Sequence, residues 1–547
     1  MKKTIKIVIV VGLCLVGLVK LTEWALESRF ESMINSNPKR NYNLDYEAFD
    51  LHSFFTGITL SSLSITPVQK TKGAVIRGTV AYAELTGFTW TKYLFSKSLE
   101  VEKMKFITPE FNITVVEDTT STQKKNKENS VQTLFSDILS RADLNQFQIK
   151  DGAIVIHESN GNLKGKIEKI NILASDIETD SSQLTYIIPF KLSNLEIEIT
   201  NMFYQLNAYT KAKLGKIGYS VLNESVNLKN VSLEYDKDWV WVSRERGVQD
   251  DVMEFNLSSM AISGVNFTNS FWTNLDIDAQ SMAIDKLSLS IMRNKNLKRP
   301  KDVEKTLFKG LIDKIPTNID LDSIYIYNSK INYGELSVDK KKTGVITIND
   351  INGTITKLTT FPKRKEEFGG FKTNLSARLN NAAELSFDLS VPYNEDSFQL
   401  RSTLQDLDIK ALNPSLKPLL GIEVLSGNLK RLEYTMKASY HSSKNTLIMD
   451  YDSLQLSVYK ELKDGSLRRK GLISSIANAV VRDQNLPSDK KYRTASYTSK
   501  RNIYRSPFQY IVSGVFDGVK EIVPAKSVKL LFNPKAKQKK KRKKPKG

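Results

Sequence analysis

Apolar and polar residues alternate along much of this chain, the period-two pattern of a β-strand with one face buried. The stretch ADLNQFQIKDGAIVI (Ala142–Ile156) shows it most fully. Its apolar positions are Ala142, Leu144, Phe147, Ile149, Ile154 and Ile156, with Asp, Asn and Gln between the first four. The three-residue step from Leu144 to Phe147 breaks the period and predicts a β-bulge that keeps the apolar side chains on one face. Lys150, Asp151 and Gly152 predict a tight turn into a second strand.

The pattern recurs in full at Leu99–Ile113, Phe190–Tyr204, Ile277–Ile291 and Ile319–Tyr333. Its first half recurs at Ile58–Ile65, Val226–Leu233 and Phe255–Ile262, with a weaker echo at Lys166–Ile172. With 40% of residues hydrophobic, the strictest form of the full pattern should occur about 0.3 times by chance, counting matches to a template. The copies starting at Leu99, Ala142 and Phe190 all meet it. Copy spacing is irregular, which excludes a solenoid of fixed period.

Period-3.6 stretches are fewer. They predict amphipathic helices at Thr22–Asn35, Val131–Ser140, Lys301–Ile315, Gly471–Val481 and Ser506–Val523. Two of them share a T-L-F-x-x-[IL]-[LI] motif, at Thr133–Leu139 and Thr306–Ile312, and each leads into a full copy of the strand pattern. That order predicts a duplicated module in which a short helix caps or plugs a sheet. Beyond Gly369 the strands lengthen into a meander. Glu117–Ser130 and Arg482–Arg501 read as polar loops, the second of them mobile. Trp239 and Trp241, in DWVWVS, read as core residues of a strand.

The net charge of +20 points toward an anionic partner. Much of the excess lies in NPKAKQKKKRKKPKG (Asn533–Gly547), so the body is only mildly basic and nucleic-acid binding by the fold itself is not expected. The single cysteine, Cys14, excludes an intramolecular disulfide framework. His52, His157 and His441 are isolated, no metal-spacing motif is present, and no G-x-S-x-G, Walker loop or H-E-x-x-H occurs. No catalytic, cofactor or metal residue is assigned, and an enzyme is not expected.

The chain opens with Lys2, Lys3 and Lys6, then an unbroken apolar run from Ile7 to Val19. Lys6 and Lys20 can snorkel, and Leu21 and Trp24 extend the apolar face. No small-x-small cleavage site comes after the run, which favours an uncleaved single-pass anchor over residues 1–24. The lysines place its N-terminus in the cytoplasm and the bulk of the chain across the membrane.

The chain resembles the AsmA-like family of bacterial envelope proteins. The resemblance rests on the anchor followed by the repeated strand unit, on the block FQLRSTLQDLDIKALNPSLKPLLGIEVLSGNL (Phe398–Leu429) with the later MDYDSLQL strand (Met449–Leu456), and on NIYRSPFQY (Asn502–Tyr510). It implies an inner-membrane protein with its bulk in the periplasm and no catalytic residues. It also implies an extended, curved antiparallel sheet forming an apolar groove, with a few short amphipathic helices. The corresponding segments are a β-groove region over 25–366, a C-terminal β region over 367–470, a helical region over 471–532 and a disordered polybasic tail over 533–547. The implied function is binding or guiding of phospholipid, or another acyl-chain lipid, between inner and outer membranes in outer-membrane biogenesis. The alternative is a scaffold or assembly factor for outer-membrane proteins, with an outer-membrane barrel or periplasmic partner.

The repeated strands supply the candidate lipid-contacting stripe. Val101, Met104 and Phe106 belong to one copy, Leu144, Phe147 and Ile149 to the next, and Leu192, Leu195 and Ile197 to a third. Met282, Ile284, Leu321, Ile324 and Ile326 come from the later copies. A second candidate surface joins Phe508, Tyr510, Val515 and Phe516 of the last helix to Lys539, Lys540, Lys541, Arg542, Lys543 and Lys544, a pairing suited to an anionic membrane surface.

Overall fold

The computed structural model describes residues 20–28, 30, 42–53, 56–68, 74–88, 99–115, 142–179, 190–267, 275–300, 303–337, 342–461, 467–469 and 481–524. The fold is mostly β, and its strands belong to a large, open, antiparallel-rich sheet with short helices. Residues 1–19, most of the expected membrane span, lie outside the described residues. Among those described, no helix is long and apolar enough to cross a membrane. The expected helices at Val131–Ser140 and over residues 471–480, and the basic run 533–547, also lie outside them.

Backbone contacts divide the chain into two units, with the main boundary between Lys229 and Asn230, inside the expected 25–366 region. In the first unit β1 (Tyr42–Asp45) and β2 (Ala48–Leu51) both pair with β3 (Gly57–Pro67). β3, β4 (Ala74–Phe88) and β5 (Leu99–Val115) form an antiparallel meander. β5 then pairs in parallel with β6 (Ala142–Glu158). β6, β7 (Leu163–Thr179), β8 (Phe190–Asn207) and β9 (Thr210–Ser220) resume the antiparallel order. β10 (Ser225–Tyr235) carries the boundary.

The second unit repeats this plan. After α1 (Trp239–Arg246) come β11 (Asp251–Val265) and β12 (Ile277–Asn294), an antiparallel pair. β12 pairs in parallel with β13 (Ile319–Leu336), and β13 is antiparallel to β14 (Thr343–Thr359). A parallel pair needs a long crossover, since a tight turn cannot reverse the chain twice. The strands of the parallel pairs β5–β6 and β12–β13 are thus each separated by one of the T-L-F segments. Among its described residues the second crossover holds one α-helix, α2 (Phe308–Ile312), shorter than the helix expected over Lys301–Ile315.

The correspondence extends to single residues. Asp151 in β6 and Asn328 in β13 both adopt the left-handed conformation, with φ of 56° and 48°. Their parallel neighbours Thr108 and Lys286 do so as well. Register shifts fall between Ile149 and Gly152, then Gly152 and Ile154, in β6. In β13 they fall between Ile326 and Ser329, then Ser329 and Ile331. The bulge amide is held alike in both. Asp151 N–H donates to Asn171 Oδ1 at 2.9 Å, and Asn328 N–H to Asn352 Oδ1 at 3.0 Å. The turn expected at Lys150–Gly152 is therefore a bulge inside one continuous strand. Asp and Asn tolerate the left-handed region, so turn chemistry serves a bulge equally well. Within the three-residue step of the half-copies, Ser62 in β3 and Asn230 in β10 also take left-handed φ values, of 53° and 54°.

The remainder of the second unit is a closed core. α3 (Pro362–Phe368) precedes the meander β15 (Gly370–Leu379), β16 (Ala383–Pro392) and β17 (Phe398–Asp408). A 3-10 turn (Ile409–Leu412) and α4 (Asn413–Leu420) lead to β18 (Ile422–Ala438) and β19 (Ser442–Glu461). β19 also pairs with β20 (Leu467–Arg469) and β21 (Ala495–Lys500), and α5 (Pro507–Ile522) ends the described chain. Leu307, Phe308, Phe398, Tyr434, Leu447, Tyr451, Tyr510 and Ile522 are buried together here.

Two further expectations are corrected. Trp239 and Trp241 lie in α1, not a strand, because Asp238 caps the helix by accepting from Val240 N–H and Trp241 N–H. Trp241 is exposed, and Val242 and Ser243 are the buried residues of that helix. The segment read as a mobile loop holds β21 and an ordered loop around Asn485. That side chain is fully buried; it donates to Met449 O and Arg493 O and accepts from Arg493 N–H and Arg482 Nη1.

Candidate apolar binding site

Strand register lines up the stripe of the first unit in rows. Val101 lies beside Leu144, Met104 beside Phe147, and Phe106 beside Ile149. The rows continue from Phe147 to Ala174 and Leu195, and from Ile149 to Ile172 and Ile197. Phe106 and Phe147 meet edge to face at 5.8 Å. Val101, Met104, Phe106, Leu144, Phe147, Ile149 and Leu195 are buried in one cluster, with Ile197 packed against it. Leu26 and Phe30 of the N-terminal helical segment and Ile58, Leu60 and Leu63 of β3 share that cluster. Protein side chains therefore cover this part of the stripe. Leu192 pairs with Ile177, and its side chain lies outside the described set.

Past the bulge the cover thins. Pro109, Phe111 and Ile113 continue the inward row of β5, and Gly152 and Ile154 that of β6. With Ile76 of β4 and Ile170 and Ile172 of β7 they line a recess of about 140 Å³. No polar side chain lines it. Phe111, Ile113, Ile154 and Ile172 are only half-buried. A dry apolar cavity of this size takes a benzene-sized guest, about 150 Å³ in the known case.

The bulge residues explain why the recess is apolar. In the second unit the residue matching Gly152 is Ser329, whose Oγ accepts from Leu287 N–H at 3.1 Å and donates to Tyr327 O at 2.9 Å. In the first unit the residue matching Leu287 is Pro109, which has no N–H to satisfy. No hydroxyl is required opposite it, and glycine can stand there. A Cβ on Gly152 would come within 3.1 Å of both Ile149 Cγ2 and Pro109 Cγ. On the opposite wall, Phe111 lies across Gly78, where a Cβ would meet its ring at 2.6 Å. Charges stay at the rim: Lys169 pairs with Asp151 at 2.9 Å, and its hydrogen bond holds that carboxyl below the usual aspartate range.

The later stripe residues lie in the second unit. Ala279 pairs with Leu321, Met282 with Ile324, and Ile284 with Ile326. Leu321 and Ile324 are buried, whereas Met282, Ile284 and Ile326 are half-buried. The lining residues missed by sequence reasoning are Ile76, Phe111, Ile113, Ile154, Ile170 and Ile172. The signal for Ile154 was the alternation continuing beyond Asp151, which a turn there would have broken; the others lie on β4, β5 and β7, and only the strand register brings them to it.

The second candidate surface is divided by the core. Tyr510, expected at a membrane surface, is 1% exposed and packs edge to face on Phe398 at 6.3 Å. Val515 also packs against the core. Phe508 and Phe516 are exposed, and the sequence reading missed Val512, 52% exposed, between them. Residues 539–544 lie outside the described set. Among the described residues no group of His, Cys, Asp or Glu is placed to hold a metal ion.

No protein-family model matches the chain, and no curated protein or solved structure matches it.

Proposed function

We propose that this is a non-enzymatic lipid-handling protein of the bacterial envelope, AsmA-like, anchored in the inner membrane with its bulk in the periplasm. Its apolar sheet face binds or guides acyl chains of phospholipid. The recess between β4 and β7 carries the reading, because its lining is wholly apolar and its half-buried side chains leave one stretch of the face under-covered. Each methylene moved there from water contributes about 0.8 kcal/mol. No orienting polar group is needed, so recognition is by chain rather than by headgroup.

A photo-crosslinking residue at Phe111 tests this in cells, with one at solvent-facing Asn112 on the same strand as the control. Lipid adducts detected by mass spectrometry at Phe111 and absent at Asn112 are expected. Gly152→Val should reduce the Phe111 adduct at least severalfold by narrowing the recess. Adducts to protein alone at Phe111 would refute the proposal and favour assembly through protein contacts.

A further inference from the structure

The outer face of α5 leaves large apolar side chains exposed. Its inner face is fixed by Tyr510, Gly514, Gly518 and Ile522, all buried. Gly514 is held so close that a Cβ would lie 2.1 Å from Tyr434 Oη, and Tyr497 Oη donates to Gly514 O at 2.8 Å. At Gly518 a Cβ would lie 2.5 Å from Tyr497 Oη. The helix therefore cannot roll about its axis. Successive side chains four apart stack on one helix face, so Phe508, Val512 and Phe516 form a single row away from the core. They are 59%, 52% and 48% exposed. Phe508 also meets Phe308 edge to face at 5.3 Å, which steadies the start of the row.

We propose that this row inserts into the surface of an anionic lipid bilayer, with the chain beyond α5 supplying the charge that holds it there. Residues 525–547 carry many lysines and one arginine and no acidic residue, and they contain Leu530, Leu531 and Phe532. An apolar row on a helix beside a polybasic segment is a two-signal membrane attachment, where neither signal alone holds firmly. A nucleic acid would be drawn by the basic residues, and the two phenylalanines could stack on bases, but it would not reward Val512 at the centre of the row. This attachment does not depend on the recess holding lipid.

The test uses the full chain, held through its N-terminal apolar run in nanodiscs of neutral phosphatidylcholine. Cys14→Ser with Val512→Cys carries an environment-sensitive dye, and Cys14→Ser with Asp388→Cys is the control. Vesicles containing about one-third anionic phosphatidylglycerol, whose negative surface potential attracts basic segments, are then added. Dye emission at position 512 should rise at least threefold and shift to the blue, with no change at position 388. Replacing Lys539–Lys544 by glutamine should weaken the apparent vesicle affinity at least tenfold, and so should Phe508→Ser with Phe516→Ser. Circular dichroism of each variant checks that the fold is intact. No response at position 512 to anionic vesicles, an equal response to neutral vesicles, or a response to duplex RNA without lipid would each overturn the proposal.

Discussion

Asp151 and Asn328 occupy the same place in two bulges, yet their surroundings differ. The amide of Asp151 is partly shielded, whereas Asn328 faces solvent. A net hydrogen bond of about 1 kcal/mol corresponds to roughly a fivefold change in an opening equilibrium. Asn171→Ala should therefore speed hydrogen exchange at the Asp151 amide about fivefold. Asn352→Ala should change exchange at Asn328 less, because water can replace the lost acceptor there. Equal effects at both sites would show that the amides are equally shielded. The residue scale is also where sequence reading was weakest. Lys150, Asp151 and Gly152 did announce a break in the alternation, but Lys-Asp-Gly serves a turn and a left-handed bulge alike. Only the cross-strand partner, Asn171, distinguishes them, and it lies on another strand. The Pro109–Gly152 pairing was illegible for the same reason.

At the scale of elements, most strands and the last helix were legible, because alternation and amphipathicity are local. What α5 buries was not. Phe508, Tyr510, Val515 and Phe516 are all apolar, and the face turned inward is chosen by the two glycines that let Tyr434 and Tyr497 approach. Gly514→Ala should push the helix off β18 and β19, at a cost of about 1–3 kcal/mol for overpacking. Tyr434→Phe removes the hydroxyl that the new methyl would strike. It also gives up the bond to Asn445 Oδ1 at 2.9 Å, at about 1 kcal/mol. Combined, the two changes should cost less than their separate effects added together, as read from urea midpoints. Simple additivity would mean that the close approach does not fix the helix.

At the largest scale, the duplicated plan was visible in the repeated T-L-F segment and strand unit. The parallel pairing was not, since period-two alternation is silent on strand direction. The two units also differ in what they bury. The core of the second is built on tyrosines, with burial pushing Tyr393 and Tyr451 up to about 12. Tyr434 and Tyr497 are raised as well, chiefly by burial. Because the folded values lie above the ordinary 10.0, these groups contribute full stability below pH 10 and lose it as pH rises toward 12 and beyond. Absorbance at 295 nm should show them ionising late and together with the loss of near-ultraviolet dichroism. Independent titration of all tyrosines near pH 10 would contradict the packing.

The parallel pair β5–β6 also bears on how the chain is made. A hairpin can close as soon as its second strand leaves the ribosome, but the outer edge of β5 stays unpaired until the crossover and then β6 have been synthesised. At about 5–20 residues per second that delay lasts several seconds, during which a row of unpaired amides and carbonyls stands open. The same exposure recurs when β12 waits for β13. In each of these intervals the sheet is open to the wrong partner, and the interval closes only when its crossover is complete.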